Sequence, residues 1–401
     1  MSWRIDQGDV IERLREMPSE SVHCIVTSPP YFGQRNYGVD GQIGLEPTLE
    51  AYVAKMVDVF AEVRRVLRDD GTCWLNMGDG YAAGSRGTGG NRVETSPKQR
   101  TNSGSYFADA TRPEHGLKAK DLMMVPARVA LALQDAGWWL RSEITWCKPA
   151  PMPESVTDRP TSATEKIYLL TKAKSYFYDL DAERVAFAEP SAPFKGPTFT
   201  DGKTGVNGQG RVSLLPRKRG GHGRRHAGFN ERWDAAEDEG TTPDGRNLWN
   251  YWVLPPEPSP GAHFAVFPSE LPRRCISLGT SAKGVCAACG APWKRMVERT
   301  AMVIDRSERT HEFGRTRTSG TMVEPPAVET LGWAPTCAHG AGAIPATVLD
   351  PFSGVATTGL AALRLERSYI GVELNPAYVE MARQRIIDDA PLLNAGAEAL
   401  P

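Results

Sequence analysis

The sequence predicts an α/β fold in which a parallel sheet carries helices on both faces. Short apolar strands alternate with helix-period segments at both ends of the chain. Two of those strands run into turns built from proline or glycine, as strands do at the loop-bearing edge of such a sheet. With 401 residues the chain can bury a substantial core, in one large domain or two ordinary ones.

Gly8-Asp9 closes a short first strand. Asp9 and Glu12 have capping-box spacing, and Val10, Leu14 and Met17 line one helical face. Cys24-Ile25-Val26-Thr27 is a strand that must stop at Ser28-Pro29-Pro30, because proline has no donor for the ladder. Residues 49–67 set Val53, Met56, Val57, Phe60, Val63 and Leu67 at helical spacing, with Gly71 as the stop and 73–77 as the next strand. Residues 78–117, rich in Gly, Ser, Thr and Asn with scattered Arg, form a loop too long for a mere connector. A helix over 126–135 closes at Gly137, and 138–146 and 166–171 read as strands. Periodicity fades over 189–250 and again over 279–345. It returns as a strand over 347–349, a helix over 357–365 and a strand over 369–374. Asn375 then caps a helix with Pro376 in its first position and Tyr378, Val379, Ala382 and Ile386 inward. No internal repeat is present.

Lys plus Arg number 47 and Asp plus Glu 48, so the chain is not coated in positive charge, although a local basic face suffices for nucleic acid. Seven cysteines, an odd number, suggest reduced thiols, some of them on a metal. The N-terminus lacks a signal h-region and no run of about 18 apolar residues occurs, so a cytoplasmic protein with no membrane span is expected.

Ser28-Pro29-Pro30-Tyr31 would sit at a strand tip, where α/β folds place ligands. The exocyclic nitrogen of cytosine or adenine is a poor nucleophile because its lone pair is delocalised into the ring. Accepting hydrogen bonds from both of its N–H groups frees that pair. The Ser28 hydroxyl and the Pro29 carbonyl, the latter fixed by a stiff Pro-Pro backbone, suit that task. Tyr31 can stack on a base turned out of its duplex. No cysteine nucleophile is required, and Cys24 reads as a buried strand thiol. The bland alternative is a strand that merely ends in a Pro-Pro turn.

Asp350-Pro351-Phe352-Ser353-Gly354 lies between a strand and a helix, and a glycine there lets backbone approach a ligand closely. Glu373 stands at the tip of the next strand, about 20 residues on, where a carboxylate can accept both ribose hydroxyls of an adenosyl group. Here the bland alternative is an ordinary strand–turn–helix with a solvated glutamate. Together the two segments point to methyl transfer from S-adenosylmethionine to a nucleobase amine.

Thr27–Tyr31, Asp350–Gly354 and Gly371-Val372-Glu373 resemble the amino-methyltransferases of DNA, the N4-cytosine/N6-adenine family. With the amine-holding motif ahead of the donor motif, the chain is similar to the permuted β class. The resemblance covers most of 1–185 and 247–390 and implies a Rossmann-like methyltransferase sheet with circularly permuted motif order. It places Asp9 near the donor's adenine and the segment His263-Phe264-Ala265-Val266-Phe267-Pro268 on the donor's methionine end. Asp350, Phe352, Ser353, Gly354, Thr357, Glu373 and Asn375 complete the implied donor set. The family usually has glycine where Ala356 stands, and serine rather than aspartate at position 28 leans towards N4-cytosine over N6-adenine.

Cys286-Ala287-Ala288-Cys289-Gly290 has zinc-knuckle spacing, and Cys337-Ala338-His339 can complete a tetrahedral Cys₃His site with a structural role. Its alternative is four unrelated loop side chains. Cys147 and Cys275 read as core thiols. Arg217, Lys218, Arg219, Arg224 and Arg225, in a Gly-rich stretch between the catalytic and donor segments, are the expected contacts to double-stranded DNA. The expected division is 1–188 catalytic half, 189–250 target-recognition insertion, 251–278 donor-packing segment, 279–345 zinc-binding insertion, 346–390 donor-binding half and 391–401 tail. A cognate restriction nuclease and a homodimer stand as further partner expectations. The rival readings are an RNA or protein-amide methyltransferase, and a DNA-binding protein without catalytic activity.

Overall fold

The computed structural model describes residues 1–82, 116–151, 153–185, 247–257, 267–299, 303–305, 321–324 and 328–391. The chain divides into a larger unit, Met1–Glu183 with Trp249–Lys294 and Trp333–Pro401, and a smaller one, Arg184–Leu248 with Arg295–Gly332.

The N-terminal elements are β1 (Trp3–Gln7), α1 (Val10–Glu16), β2 (Val22–Thr27), α2 (Leu49–Val66), β3 (Leu67–Met77), α3 (Val125–Asp135), β4 (Trp139–Cys147) and β5 (Thr164–Thr171). After them come β6 (Tyr251–Val253), α4 (Glu270–Gly279), β7 (Val285–Cys286), β8 (Trp293–Arg299), β9 (Val303–Asp305), β10 (Thr321–Glu324), β11 (Val328–Pro335) and β12 (Ala343–Ile344). The chain finishes with β13 (Thr347–Asp350), α5 (Thr357–Arg364), β14 (Ser368–Glu373) and α6 (Pro376–Asp389).

An eight-stranded sheet in the order β1-β14-β13-β2-β3-β5-β4-β6 forms the larger unit's core. The last two sheet strands of the chain therefore sit between the first two. β2 crosses through α2 to β3 on one side, while β13 crosses through α5 to β14 on the other. That makes the β13/β2 boundary a topological switch point, where the crevice at the strands' carboxyl ends takes a ligand. α1, α2 and α3 pack as one layer, and α4, α5 and α6 as a second. In the smaller unit β9 and β10 form an antiparallel ribbon. Among the described residues, no helix is long and apolar enough to cross a membrane.

Local signals explain most elements. Asp9 caps α1 by accepting from the Ile11 and Glu12 amides, Thr48 caps α2, and Asn375 caps α6 ahead of Pro376. Three expectations need correction. The sheet is mixed: β5 runs antiparallel to both β3 and β4, because β4 returns to β5 without a crossover helix. Gly71 does not end a helix; α2 passes into β3 at Leu67, and Gly71 lies inside that strand, where a side chain would meet the His23 carbonyl. Residues 270–279 form a helix within the expected donor-packing segment 251–278, running one residue past its end. Its Gly279 packs so closely on Thr72 and Cys24 that no Cβ would fit.

Candidate active site

The two chain ends meet at the switch point. Val348 and Leu349 of β13 pair with Cys24 and Ile25 of β2. Just beyond, the buried Thr27 hydroxyl donates to Asp350 Oδ1 at 2.7 Å, and the Phe352 amide donates to the same oxygen at 3.0 Å. Thr358 of α5 donates to Asp350 Oδ2 at 2.8 Å. Asp350 thus ties two strand tips and one helix together, and burial pushes its carboxyl up to about 6. It was expected at the donor; it holds the joint beneath and does not line the cavity.

That cavity, open to solvent on one side, lies at the strand tips where α/β folds place ligands. Gly8, Asp9, Phe352, Gly354, Glu373 and Asn375 line it together with Ser28 and Pro30. Gly354 has φ +52°, a left-handed turn that brings its amide to Glu373 Oε2 at 2.9 Å. The Asn375 amide donates to Glu373 Oε1 at 2.8 Å, so one carboxylate braces two turns and keeps further lone pairs for hydroxyl donors. Burial raises the Glu373 carboxyl above its ordinary range. Ser353 lies behind the lining, its hydroxyl sharing a 2.8 Å hydrogen bond with Tyr369. Tyr37 and Tyr378 meet edge to face at 6.3 Å on the same cavity wall. A braced carboxylate, aromatic surfaces and a close-approach backbone fit an adenosyl group. Tyr37 and the neighbouring Gln42 and Ile43 were not anticipated, since an irregular loop carries no periodic signal.

The Ser28–Tyr31 turn is held by side chains that reach it from β3, β5 and the segment after β4. The Ser28 hydroxyl donates to the Tyr31 hydroxyl at 3.2 Å, which donates to Glu165 Oε2 at 2.7 Å. Asn76 Nδ2 lies 3.4 Å from Ser28 Oγ, 3.0 Å from the Tyr31 hydroxyl and 2.9 Å from Glu165 Oε2. Lys148 Nζ pairs with Glu165 Oε1. Tyr52 donates to the Pro30 carbonyl at 2.9 Å, which fixes the Pro-Pro turn. Gly78 is required beside Tyr31, because a Cβ there would come within 2.6 Å of the ring. Burial, then the Glu165 charge, hold the Tyr31 phenol well above its ordinary range, so it stays protonated. Tyr31 and Pro29 support this turn without lining the cavity. Asn76, Lys148 and Glu165 were not singled out as site residues. A buried asparagine inside an apolar strand is the signal that points to Asn76.

Thr357 is buried, and its hydroxyl accepts from Arg385 at 2.9 Å, so it serves the α5–α6 packing. Pro268 is buried at the entry to α4 and Phe267 is half-buried; neither lines the cavity. His263, Phe264 and the basic residues Arg217, Lys218, Arg219, Arg224 and Arg225 lie outside the described residues.

Away from this cleft, Cys286, Cys289, Cys337 and His339 bring their ligand atoms within 4.8 Å of one another. The pairing of β7 with β12 closes the knuckle, with Cys286 opposite Ala343. Arg68 donates to the Cys289 carbonyl at 2.9 Å and so ties the knuckle to β3. Four ligands around zinc at about 2.3 Å would lie about 4 Å apart, so the cluster fits a closed tetrahedral site.

Comparison with known proteins agrees with this geometry. A family model described as DNA methylase, for N6- and N4-methyltransferases, matches residues 22–287 and 345–384. The Type II methyltransferase M.Cfr9I of Citrobacter freundii is 33% identical over 380 residues, 95% of this chain and 86% of that protein. The Type II methyltransferase M.SmaI of Serratia marcescens is 31% identical over 388 residues, 96% of this chain and 91% of that one. The solved PvuII DNA methyltransferase, cytosine-N4-specific, shares the fold with a TM-score of 0.50 at 16% identity, covering 97% of this chain and 88% of that one. Motifs, cleft and relatives agree: the chain belongs to the DNA methylase family of N6 and N4 methyltransferases and is an S-adenosylmethionine-dependent amino-methyltransferase of DNA.

Proposed function

We propose that this chain is a Type II enzyme that methylates the N4 amine of a cytosine turned out of double-stranded DNA. The observation that carries this reading is the shared cavity: Ser28 and Pro30 face the same space as Phe352, Gly354 and Glu373. When bound, the donor supplies a methyl group on a positively charged sulfur. Glu373 is suited to the ribose hydroxyls, and Tyr37, Phe352 and Tyr378 to the adenine. The Ser28 proton is committed to Tyr31, so Oγ offers lone pairs to an amine N–H. Direct transfer then needs mainly alignment. Serine at position 28 favours cytosine, and the relatives' Type II names support a role beside a restriction nuclease. The late β13-α5-β14 segment, seated between β1 and β2, supports a circularly permuted motif order.

Incubation with labelled donor and duplex DNA, followed by digestion to nucleosides, tests the reading. N4-methylcytosine is the expected product. N6-methyladenine would move the target to adenine, and label confined to RNA or protein would overturn the proposal. The segment 189–250 serves target recognition in this reading, with Arg217, Lys218, Arg219, Arg224 and Arg225 on phosphates. Changing those five to glutamine should flatten the salt dependence of DNA affinity; an unchanged slope argues against it. Cys286, Cys289, Cys337 and His339 hold one structural zinc. About one equivalent of metal, with a lower Tm after chelation, is expected, and metal-free protein of unchanged Tm would refute the site.

A further inference from the structure

We infer that Glu165 is the terminal proton acceptor of the methyl-transfer reaction, reached from the base through Ser28 and Tyr31. The inference rests on the amine-methylating reading above. As the amine nitrogen forms its new bond to the methyl carbon, the carbon–sulfur bond breaks and its electron pair stays on sulfur. The nitrogen is left with one proton too many. That proton has an ordered route out of the cleft: from nitrogen to Ser28 Oγ, while the Ser28 proton passes to Tyr31 and the Tyr31 proton passes to Glu165 Oε2. The two internal steps span 3.2 and 2.7 Å, and each hydrogen bond already points in the direction of travel. At the end of the relay Ser28 and Tyr31 are again neutral hydroxyls, Glu165 is a neutral acid, and its proton leaves to water.

Three features distinguish this arrangement from a merely structural cluster. The members come from the turn after β2, from β3, from β5 and from the segment after β4, so no local fold requirement brings them together. Asn76 Nδ2 lies within hydrogen-bonding distance of all three relay oxygens and holds them in register. Lys148 pairs with the other oxygen of Glu165, the Glu165 side chain being 14% exposed and that of Lys148 25%. The pair sets a carboxylate behind the Ser28–Tyr31 turn, with Lys148 partly exposed to solvent. Glu165 acts through Tyr31 and does not touch the base, so it is a positioning and proton-accepting residue.

The test uses single-turnover methyl transfer across pH, with Glu165→Gln and Tyr31→Phe singly and combined. A positioned proton acceptor contributes on the order of 10²–10⁴-fold; with water as substitute acceptor, each variant should slow transfer about 10–100-fold. Donor affinity by calorimetry and DNA affinity should stay within about threefold. The acidic limb of the wild-type rate profile should vanish in Glu165→Gln. The double variant should be no slower than the slower single, because both cut one route. A Glu165→Gln enzyme at wild-type rate, one slowed with its acidic limb intact, or fully additive losses would each overturn the inference. Tyr31→Phe carries no charge change, so it still reads the relay if Glu165→Gln folds poorly. Wild-type enzyme that methylates no DNA amine would instead sink the underlying reading.

Discussion

The two walls of the cleft are built on opposite plans. The donor wall centres on backbone from one contiguous stretch, the turn after β13, the tip of β14 and the cap of α6, with Gly354 and Asn375 offering amides to one glutamate and the Tyr37 and Tyr378 rings beside it. The other wall presents Ser28 and Pro30 and is held from behind by side chains gathered from residues 31, 76, 148 and 165 across the sheet. A backbone wall is specified by conformation, so few substitutions in it are tolerated but each acts locally. A side-chain wall is specified by tertiary packing, so its members act as a unit. The difference predicts that damage to the first shows in donor affinity and damage to the second shows in rate.

Ser28→Ala is the sharpest way to break that comparison. It removes a hydroxyl that lines the cavity and would open the proposed relay, while leaving the donor wall untouched. Loss of a positioned polar group at the reacting centre typically costs on the order of 10²–10³-fold in rate. Single-turnover transfer should fall by that amount, with donor affinity within about twofold. A large loss of donor binding would mean the two walls are not separable.

Glu373→Gln probes the other wall. Charge-assisted hydrogen bonds contribute about 1.5–3 kcal/mol, and an amide nitrogen here would also face a backbone N–H donor from Gly354 or Asn375. Donor Kd should rise about 10–100-fold by calorimetry, while transfer at saturating donor changes little. A fall in saturated rate larger than the change in Kd would contradict the division of labour.

The same contrast governs what could be read from sequence. The donor wall was legible because its determinants are short-range: a strand, a Gly-bearing turn, a helix, then an acid at the next strand tip. Ser28–Tyr31 was legible for the same reason. Asn76, Lys148 and Glu165 were not recognised as partners, because nothing local marks three residues that meet only when β3, β4 and β5 pair. Gly71 misled because Asp69-Asp70-Gly71 has turn composition. Arg68–Asp70 and Lys172–Asp69 ion pairs accompany an extended path there, and the strand continues through the glycine. The Asp350 role was half legible: its position was right, but its partners Thr27 and Thr358 belong to other elements.

Asp350 beneath both walls gives a smaller, pH-dependent effect. Its carboxyl sits at about 6 in the fold and near 3.9 when unfolded. Between those values the native state binds more protons than the unfolded state. The linkage therefore runs against stability as pH rises from about 4 to about 6, and above 6 the full cost of burying the charge persists. Asp350→Asn removes that cost. Its carbonyl can still accept from Thr27 and Phe352, and the Thr358 hydroxyl can turn to the Val26 carbonyl, 3.3 Å away. Urea denaturation should find the variant about 1–3 kcal/mol more stable relative to wild type at pH 7.5 than at pH 4. A difference that is flat with pH, or of opposite sign, would mean Asp350 is not a buried carboxylate at the joint.

The smallest effect concerns Ala356, where the family's usual glycine is missing. Ala356 is buried at the N-cap of α5 with φ +57° and ψ +41°, left-handed geometry that glycine adopts freely. Relief of that geometry in Ala356→Gly is worth about 1–2 kcal/mol. Against it stand the extra freedom of glycine in the unfolded chain, about 0.4–1 kcal/mol, and the lost burial of one methyl, about 0.8 kcal/mol. The opposing terms nearly cancel, so unfolding free energy should move by less than about 1 kcal/mol. Ala356 does not line the donor cavity, so donor Kd should stay within about twofold. The methyl is thus accommodated by the backbone wall without altering what that wall presents, and a tenfold change in donor affinity would show that the turn does depend on glycine at this position.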